Sequence, residues 1–195
     1  MTAQPPKTLQ EMNDEFHMMV GECVTQWATV EELLFRTCRI CLACTTEQAA
    51  IVYYRTPTIA ARIELIDELL GLVLPPKDPK RGSEHHPDTK EWSGIKQRLK
   101  GLLSIRNRLA HEPVTINIRL STSDSDPVHR LLAEESSFAI YASRQQLTRA
   151  KSAKLKPLLI NDLKEHLVAM SAIAGRLQQF YRETLPMHIP ASPQR

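Results

Sequence analysis

Apolar side chains recur every three or four residues along most of this chain, and that spacing restricts the fold to helices that share a core. The longest pattern predicts one helix, or two abutting ones, over residues 8–44. Thr56-Pro57 predicts another helix start, since threonine caps helices and proline suits the first helical position. Similar patterns predict the remaining helices over residues 46–54, 90–111 and 162–185.

Two segments break the helical spacing. Residues 74–89 contain four prolines and one glycine, which predicts a surface loop. Over residues 113–142 the spacing changes to alternation, as in Val114, Ile116 and Ile118, which predicts a small β insertion. Its second strand is expected at Phe138–Tyr141, and Leu131-Leu132 suggest a third, so either a hairpin or a three-stranded sheet fits.

The sequence therefore predicts a mainly α fold, in which an up-and-down helical bundle carries the β insertion before its last helix. A single domain is expected over residues 8–185, with flexible tails at 1–7 and 186–195. No apolar run approaches the roughly 20 residues that a membrane span needs, and the N-terminus lacks the apolar core of a signal peptide. We expect no membrane association and a cytoplasmic location.

Charge is distributed unevenly. Residues 76–120 carry ten basic and five acidic side chains, although the net charge of the chain is only +3. This middle segment permits an anionic partner, but charge counts alone favour the simpler interpretation, in which the halves of the chain neutralise each other across the fold. Lys96, Lys100 and Arg108 lie largely off the apolar face of their helix, and we consider them as phosphate contacts or as a plain solvated face.

One cation occupies the apolar face itself. On a helical projection Arg106 falls in the middle of the stripe formed by Trp92, Ile95 and Leu99. A guanidinium cannot lose its proton, so burial requires a partner. Glu31 borders the buried stripe of the first helix, and a Glu31–Arg106 pair is the purely structural interpretation of both residues.

That pair leaves the residues after Arg106 unexplained. The sequence continues with Asn107 and reaches His111 just before Glu112-Pro113. In a regular helix Arg106 and His111 lie about 7.5 Å apart along the axis and point about 140° apart. Two arrangements bring them together: the last turn unwinds before Pro113, or a two-fold partner sets two copies face to face.

Arg106-Asn107-x-x-x-His111 resembles the Arg-(polar)-His signature of HEPN domains, a superfamily of helical bundles that carry it at the end of a helix. The flanks also resemble a bacterial HEPN subgroup. They are Trp27-x-x-Val30-Glu31-x-x-Leu34, Arg62-Ile-Glu-Leu-Ile-Asp-Glu-Leu and Leu109-Ala-His111. The resemblance covers about residues 15–120 and the last helix, and the segment 113–160 is outside it or elaborates it.

The resemblance implies a homodimeric RNA endonuclease that needs no metal and no cofactor. His111 would move the proton of the 2′-hydroxyl or of the leaving oxygen, and Arg106 would stabilise the phosphate in the transition state. Asn107 would orient His111, and the product would carry a 2′,3′-cyclic phosphate. Such domains often act as toxins or in phage defence, commonly beside an antitoxin.

Other interpretations stay open. Many HEPN-like domains are non-catalytic interaction modules, and a nucleotide-sensing regulatory bundle is a third hypothesis. Cys38-x-x-Cys41-x-x-Cys44 has metal-like spacing, but a helix turns Cys44 about 120° away from Cys38. Buried thiols are the expectation there, and His85-His86 are expected to be solvated loop residues. We predict no metal site.

Overall fold

The structure is a computed structural model that describes residues 7–75, 86–117, 137–140 and 156–189. Its fold class is mainly α, as predicted. Four parts of the predictions lie outside the described residues: 76–85 of the predicted loop, 131–132 of the suggested third strand, and 1–6 and 190–195 of the predicted tails.

Five α-helices and two strands follow one another along the described chain. The last helix continues into a π-helical turn at Phe180–Thr184 and a 3-10 turn at Leu185–Met187. The elements are α1 (Leu9–Leu42), α2 (Thr46–Arg55), α3 (Ile59–Val73), α4 (Pro87–His111), β1 (Val114–Asn117), β2 (Ser137–Ile140) and α5 (Ile160–Gln179).

Several element ends differ from the sequence-based prediction. The cap of α3 is Thr58, whose hydroxyl accepts from Ala61 N at 3.1 Å, so Thr56 and Pro57 precede the helix. Helix α4 begins at Pro87, inside the predicted loop, because proline suits the first helical turn. Residues 186–189 are not a tail, since the ring of His188 contacts Asp88 Oδ2 at 2.7 Å.

Strands β1 and β2 pair antiparallel, with Val114 opposite Ile140 and Asn117 opposite Ser137. The insertion predicted from the alternating pattern therefore contains a strand pair. Its second strand ends at Ile140, and Tyr141 lies outside the described residues. Ile140 also forms an antiparallel bridge with Leu158, whose N–H and C=O both bond the Ile140 backbone at 3.0 Å.

The chain divides into two compact units. The larger unit is Gln26–Ser104 with Ala169–Arg195, and the smaller is Met1–Thr25 with Ile105–Val168. Whether residues 8–185 form the single domain that the sequence predicts is not tested by this division, and the single domain stays a prediction.

The larger unit owes its core to the helical spacing of apolar residues. Its buried cluster includes Trp27, Val30 and Leu34 from α1, as the spacing predicted. All four buried residues of α3 come from one helical stripe: Ile59, Ile63, Ile66 and Leu70. Apolar surface that is removed from water in such a core contributes about 25 cal/mol per Å² to the free energy of folding.

The smaller unit has a separate apolar cluster around the strand pair. Phe16 and Phe138 meet with ring centroids 6.2 Å apart. The Cys23 thiol lies against the backbone oxygen of Leu163, with Sγ and O 3.6 Å apart. Its buried members are Phe16, Met19, Cys23, Phe138, Ile140, Leu158 and Leu163.

Candidate functional site

The last turn of α4 holds the predicted Arg-Asn-His triplet in regular helical geometry. The helix continues through His111, and Glu112 N donates to Arg108 O at 2.8 Å. Unwinding before Pro113, one of the two arrangements considered, is therefore wrong. A regular helix keeps Arg106 and His111 about 140° apart around its axis.

Arg106 is half-buried, and its Nη1 donates to Asn107 Oδ1 at 3.3 Å. The sequence predicted that Arg106 lies in the middle of one apolar face that runs along α4. That face is buried in the first part of the helix, at Trp92, Ile95 and Leu99. This contact orients the Asn107 amide toward the arginine, so the two side chains form one polar group.

His111 is exposed at the C-terminal end of α4, as is Asn107 one turn earlier. An exposed imidazole can exchange protons with a substrate from solution, which general acid–base catalysis requires.

Arg108, rather than Arg106, is the buried arginine of this helix end. It is only 6% exposed, so its expected place on a solvated, phosphate-binding face is wrong. Its Nε donates to Glu112 Oε2 at 2.7 Å, and its other nitrogens donate to backbone oxygens of Ile140 and Lys156. All three guanidinium nitrogens are thus engaged within the protein.

A signal for this buried arginine exists in the sequence. Ile105, Arg108, Leu109 and Glu112 follow the i, i+3, i+4, i+7 spacing of one helical face. Ile105 and Leu109 pack against the apolar cluster of the smaller unit. Because Arg108 and Glu112 are charged, this stripe does not stand out as apolar. Opposite charges four residues apart can nevertheless pair on one face of a helix.

The two lysines predicted to bind RNA already have acidic partners. Lys96 Nζ lies 2.6 Å from Asp67 Oδ2 and 2.8 Å from Glu64 Oε2. Hydrogen bonds to Asp67 and Glu64 raise the pKa of Lys96. Lys100 pairs with the other oxygen of Glu64, whose pKa is lowered by hydrogen bonds from Lys100 and Lys96. A phosphate would have to compete with these carboxylates.

Glu31, the predicted partner of Arg106, lies in the larger unit. Its carboxylate accepts from Arg62 Nη1 at 3.4 Å, and its backbone oxygen accepts from the Tyr53 hydroxyl at 3.3 Å. The Arg62 guanidinium also lies over the rings of Tyr53 and Tyr54, at 5.0 and 5.5 Å. Since Glu31 and Arg106 belong to different units, their pairing stays a prediction.

The cysteines of the Cys-x-x-Cys-x-x-Cys segment are free thiols. Burial raises the pKa of Cys38 to about 11 and that of Cys41 to about 12, so both are protonated at neutral pH. His86 contacts Asp88, while His85 lies outside the described residues. Within the described ranges, no three His, Cys, Asp or Glu side chains are grouped so that they could hold a metal ion.

Comparison with protein-family models, with curated proteins and with solved structures finds no match to this chain. Among the helices of the described part, none has the combined length and apolar character needed to cross a membrane.

Proposed function

We propose that this protein is a metal-independent RNA endonuclease of the HEPN type. The supporting observation is the polar group at the end of α4. There a half-buried arginine is bonded to an exposed asparagine, and an exposed histidine follows one turn later. An up-and-down HEPN-like bundle with a β insertion is part of this proposal.

The chemistry assigns one task to each side chain. His111 takes the proton of the 2′-hydroxyl, which then attacks the adjacent phosphorus and leaves a 2′,3′-cyclic phosphate. The leaving 5′-oxygen receives a proton from a second imidazole or from water. Arg106 donates hydrogen bonds to the phosphate oxygens, whose charge grows in the transition state. Asn107 Oδ1 accepts from Arg106 Nη1, so the task proposed for Asn107 is to orient the arginine and not His111, to which the resemblance assigned it.

A second copy of the chain completes the site in this proposal. Because α4 stays helical through His111, Arg106 and His111 of one copy point about 140° apart and cannot face the same phosphate. Two copies related by a two-fold axis place the arginine of one opposite the histidine of the other. The proposed assembly is therefore a homodimer with RNA in the cleft between the copies.

The biological setting proposed is that of a cytoplasmic toxin or phage-defence component held in check by an antitoxin. An alternative is a non-catalytic interaction module. The observation that favours it is the engagement of Lys96, Lys100 and Arg108 by acidic side chains, which weakens the case for an RNA surface. The experiment below separates the two.

The test is cleavage of a labelled RNA by the purified protein in EDTA. Arg106→Ala and His111→Ala should each lower the rate at least about 100-fold, which is typical of general acid–base and electrostatic groups. His17→Ala and Arg55→Ala are matched controls, since both replace exposed residues on other helices. Full cleavage by both site variants would reject the assigned roles, and an inactive wild-type protein would favour the interaction module.

Mixing the two inactive variants tests the shared site. A heterodimer of Arg106→Ala with His111→Ala retains one arginine opposite one histidine, so mixing should restore part of the activity. If the mixture stays as inactive as its components while the wild type cleaves RNA, the two residues act within one copy and the dimeric site is wrong.

A further inference from the structure

The buried guanidinium of Arg108 joins three segments of the smaller unit. Its Nε bonds Glu112 at the end of α4, its Nη1 donates to Lys156 O at 2.8 Å, and its Nη2 donates to Ile140 O on β2. A guanidinium presents its donors in a rigid fork, so three simultaneous bonds fix the relative placement of all three segments.

Among the described residues, Arg108 is the side chain that bonds the Glu112 carboxylate. The Glu112 side chain is fully buried, and its Oε2 accepts from Arg108 Nε at 2.7 Å. Oε1 has no hydrogen-bond partner within the part of the chain that the structure describes. A buried carboxylate with one partner is stable only while that partner stays in place. The pair therefore locks the last turn of α4, which the Glu112 N–H to Arg108 O bond also closes.

The locked turn is the one that carries the proposed catalytic group. His111 directly precedes Glu112, and Asn107 directly precedes Arg108. Successive helical residues point about 100° apart, so the buried pair and the exposed pair occupy different sides of the same turn. Burial of Arg108 and Glu112 on one side leaves His111 and Asn107 facing solvent on the other.

The three bonds of Arg108 to Glu112, Lys156 and Ile140 act as a clamp. Its end at Ile140 is held in the sheet by several backbone hydrogen bonds. The Ile140 backbone is paired with Val114 on β1 and with Leu158, while its carbonyl also accepts from Arg108. Strand β1 begins three residues after His111. The turn is thus fixed from both directions, by the chain that leaves it and by the arginine within it.

We propose that Arg108 and Glu112 are positioning residues, which tie the last turn of α4 to β2 and to the Lys156–Leu158 segment and so set the place of His111. The catalytic consequence rests on the proposed RNA cleavage. The structural part does not, because the geometry of the turn is measurable without any substrate.

Amide hydrogen exchange of the whole protein tests the structural part. Arg108→Lys keeps a positive charge but cannot bind three segments at once, and the Glu112 amide should exchange about 10-fold faster or more as the turn opens locally. Arg176→Lys is the matched control, because Arg176 pairs with Glu91 near the other end of α4. Unchanged exchange at Glu112 in Arg108→Lys would overturn the proposal.

A second variant covers the outcome in which Arg108→Lys fails to fold. Arg108→Met combined with Glu112→Leu removes both buried charges together, which often leaves stability unchanged. Its exchange near residues 109–112 should still be faster than in the wild type, since the ties to Ile140 and Lys156 are lost. Wild-type protection in this double variant would likewise contradict the clamp.

Kinetics test the catalytic part. A displaced His111 should lower kcat by about 10- to 100-fold while KM changes little, since misplacement of a catalytic group by about 1 Å has effects of this size. A residue that merely stabilises the fold would leave kcat per folded molecule unchanged. If the wild type does not cleave RNA, the proposed function fails while the exchange result still decides the clamp.

Discussion

The two units of the molecule differ in what they bury. The larger unit buries 22 hydrophobic residues in one cluster, and its one buried polar residue among the described positions is Thr37, whose hydroxyl bonds Leu33 O. Among its described residues, the smaller unit buries seven hydrophobic residues in its cluster, together with Arg108, Glu112 and His166.

The same contrast appears in the ion pairs along α4. In the larger unit, Lys96 and Arg176 pair with acids at partly exposed positions, with 20% and 28% of their side chains accessible. In the smaller unit the Arg108–Glu112 pair is 8% and 0% exposed. Apolar residues of similar volume would stabilise such a site at least as well. A buried pair of this kind is what the positioning role proposed for Arg108 and Glu112 requires.

The largest predicted effect is on stability, and it is measured by comparing Arg108 with Arg176, since each arginine pairs with a glutamate. Arg108→Met should lower the free energy of unfolding by about 3–5 kcal/mol, because it strands the Glu112 carboxylate in the interior. Arg176→Met should lower it by about 1 kcal/mol or less, because its pair with Glu91 is partly solvated. Urea denaturation followed by circular dichroism measures both. Equal losses would erase the contrast between buried and exposed pairs.

How far the sequence predicts this contrast depends on the unit. In the larger unit the period of 3.6 identifies the buried stripe of α3 and that of α1 from Trp27 onward, because there one face of each helix meets one apolar core. At the end of α4 the same reasoning failed for Arg108. The inward residues there are Ile105, Arg108, Leu109 and Glu112, a different face from Trp92, Ile95 and Leu99.

A helical projection assumes that one face is buried along the whole helix, and α4 contributes to both units. The projection therefore extended the stripe of the larger unit to Arg106, beyond the point where that unit ends. Residue types alone single out Arg106, Asn107 and His111 as the candidate site, and their role stays a prediction. The contact between Arg106 and Asn107 and the three-way bonding of Arg108 depend on folded geometry that spacing cannot give.

The next effect concerns pH and the buried histidine of the smaller unit. Burial lowers the pKa of His166 from 6.5 to about 4. Between these values the unfolded chain binds more protons, so stability present above pH 6.5 is lost as the pH falls. At pH 5 the loss should be about 2 kcal/mol relative to pH 7.5. Urea denaturation at both values measures it.

A variant pair isolates this contribution from other titrating groups. His166→Leu should remove about 2 kcal/mol of the pH dependence, whatever its effect on stability at neutral pH. His17→Leu replaces an exposed histidine on α1 and should leave the pH dependence intact. An equal pH dependence in wild type and His166→Leu would show that the smaller unit does not depend on a neutral buried imidazole.

The smallest effect is a gain in the larger unit that involves no charge. Ala43, between α1 and α2, has a φ of 47°, in the left-handed region that favours glycine. Ala43→Gly should raise the free energy of unfolding by about 0.5–1 kcal/mol, because it relieves the crowding of Cβ in that conformation. Ala169→Gly, at an exposed position within α5, should instead lower it by about 1 kcal/mol.

Urea denaturation should give these opposite signs at pH 5 and pH 7.5 alike, since neither residue titrates. Loss of stability in both variants would mean that the backbone at Ala43 is not strained, and pH dependence of the Ala43 effect would tie the larger unit to the titrating groups of the smaller one.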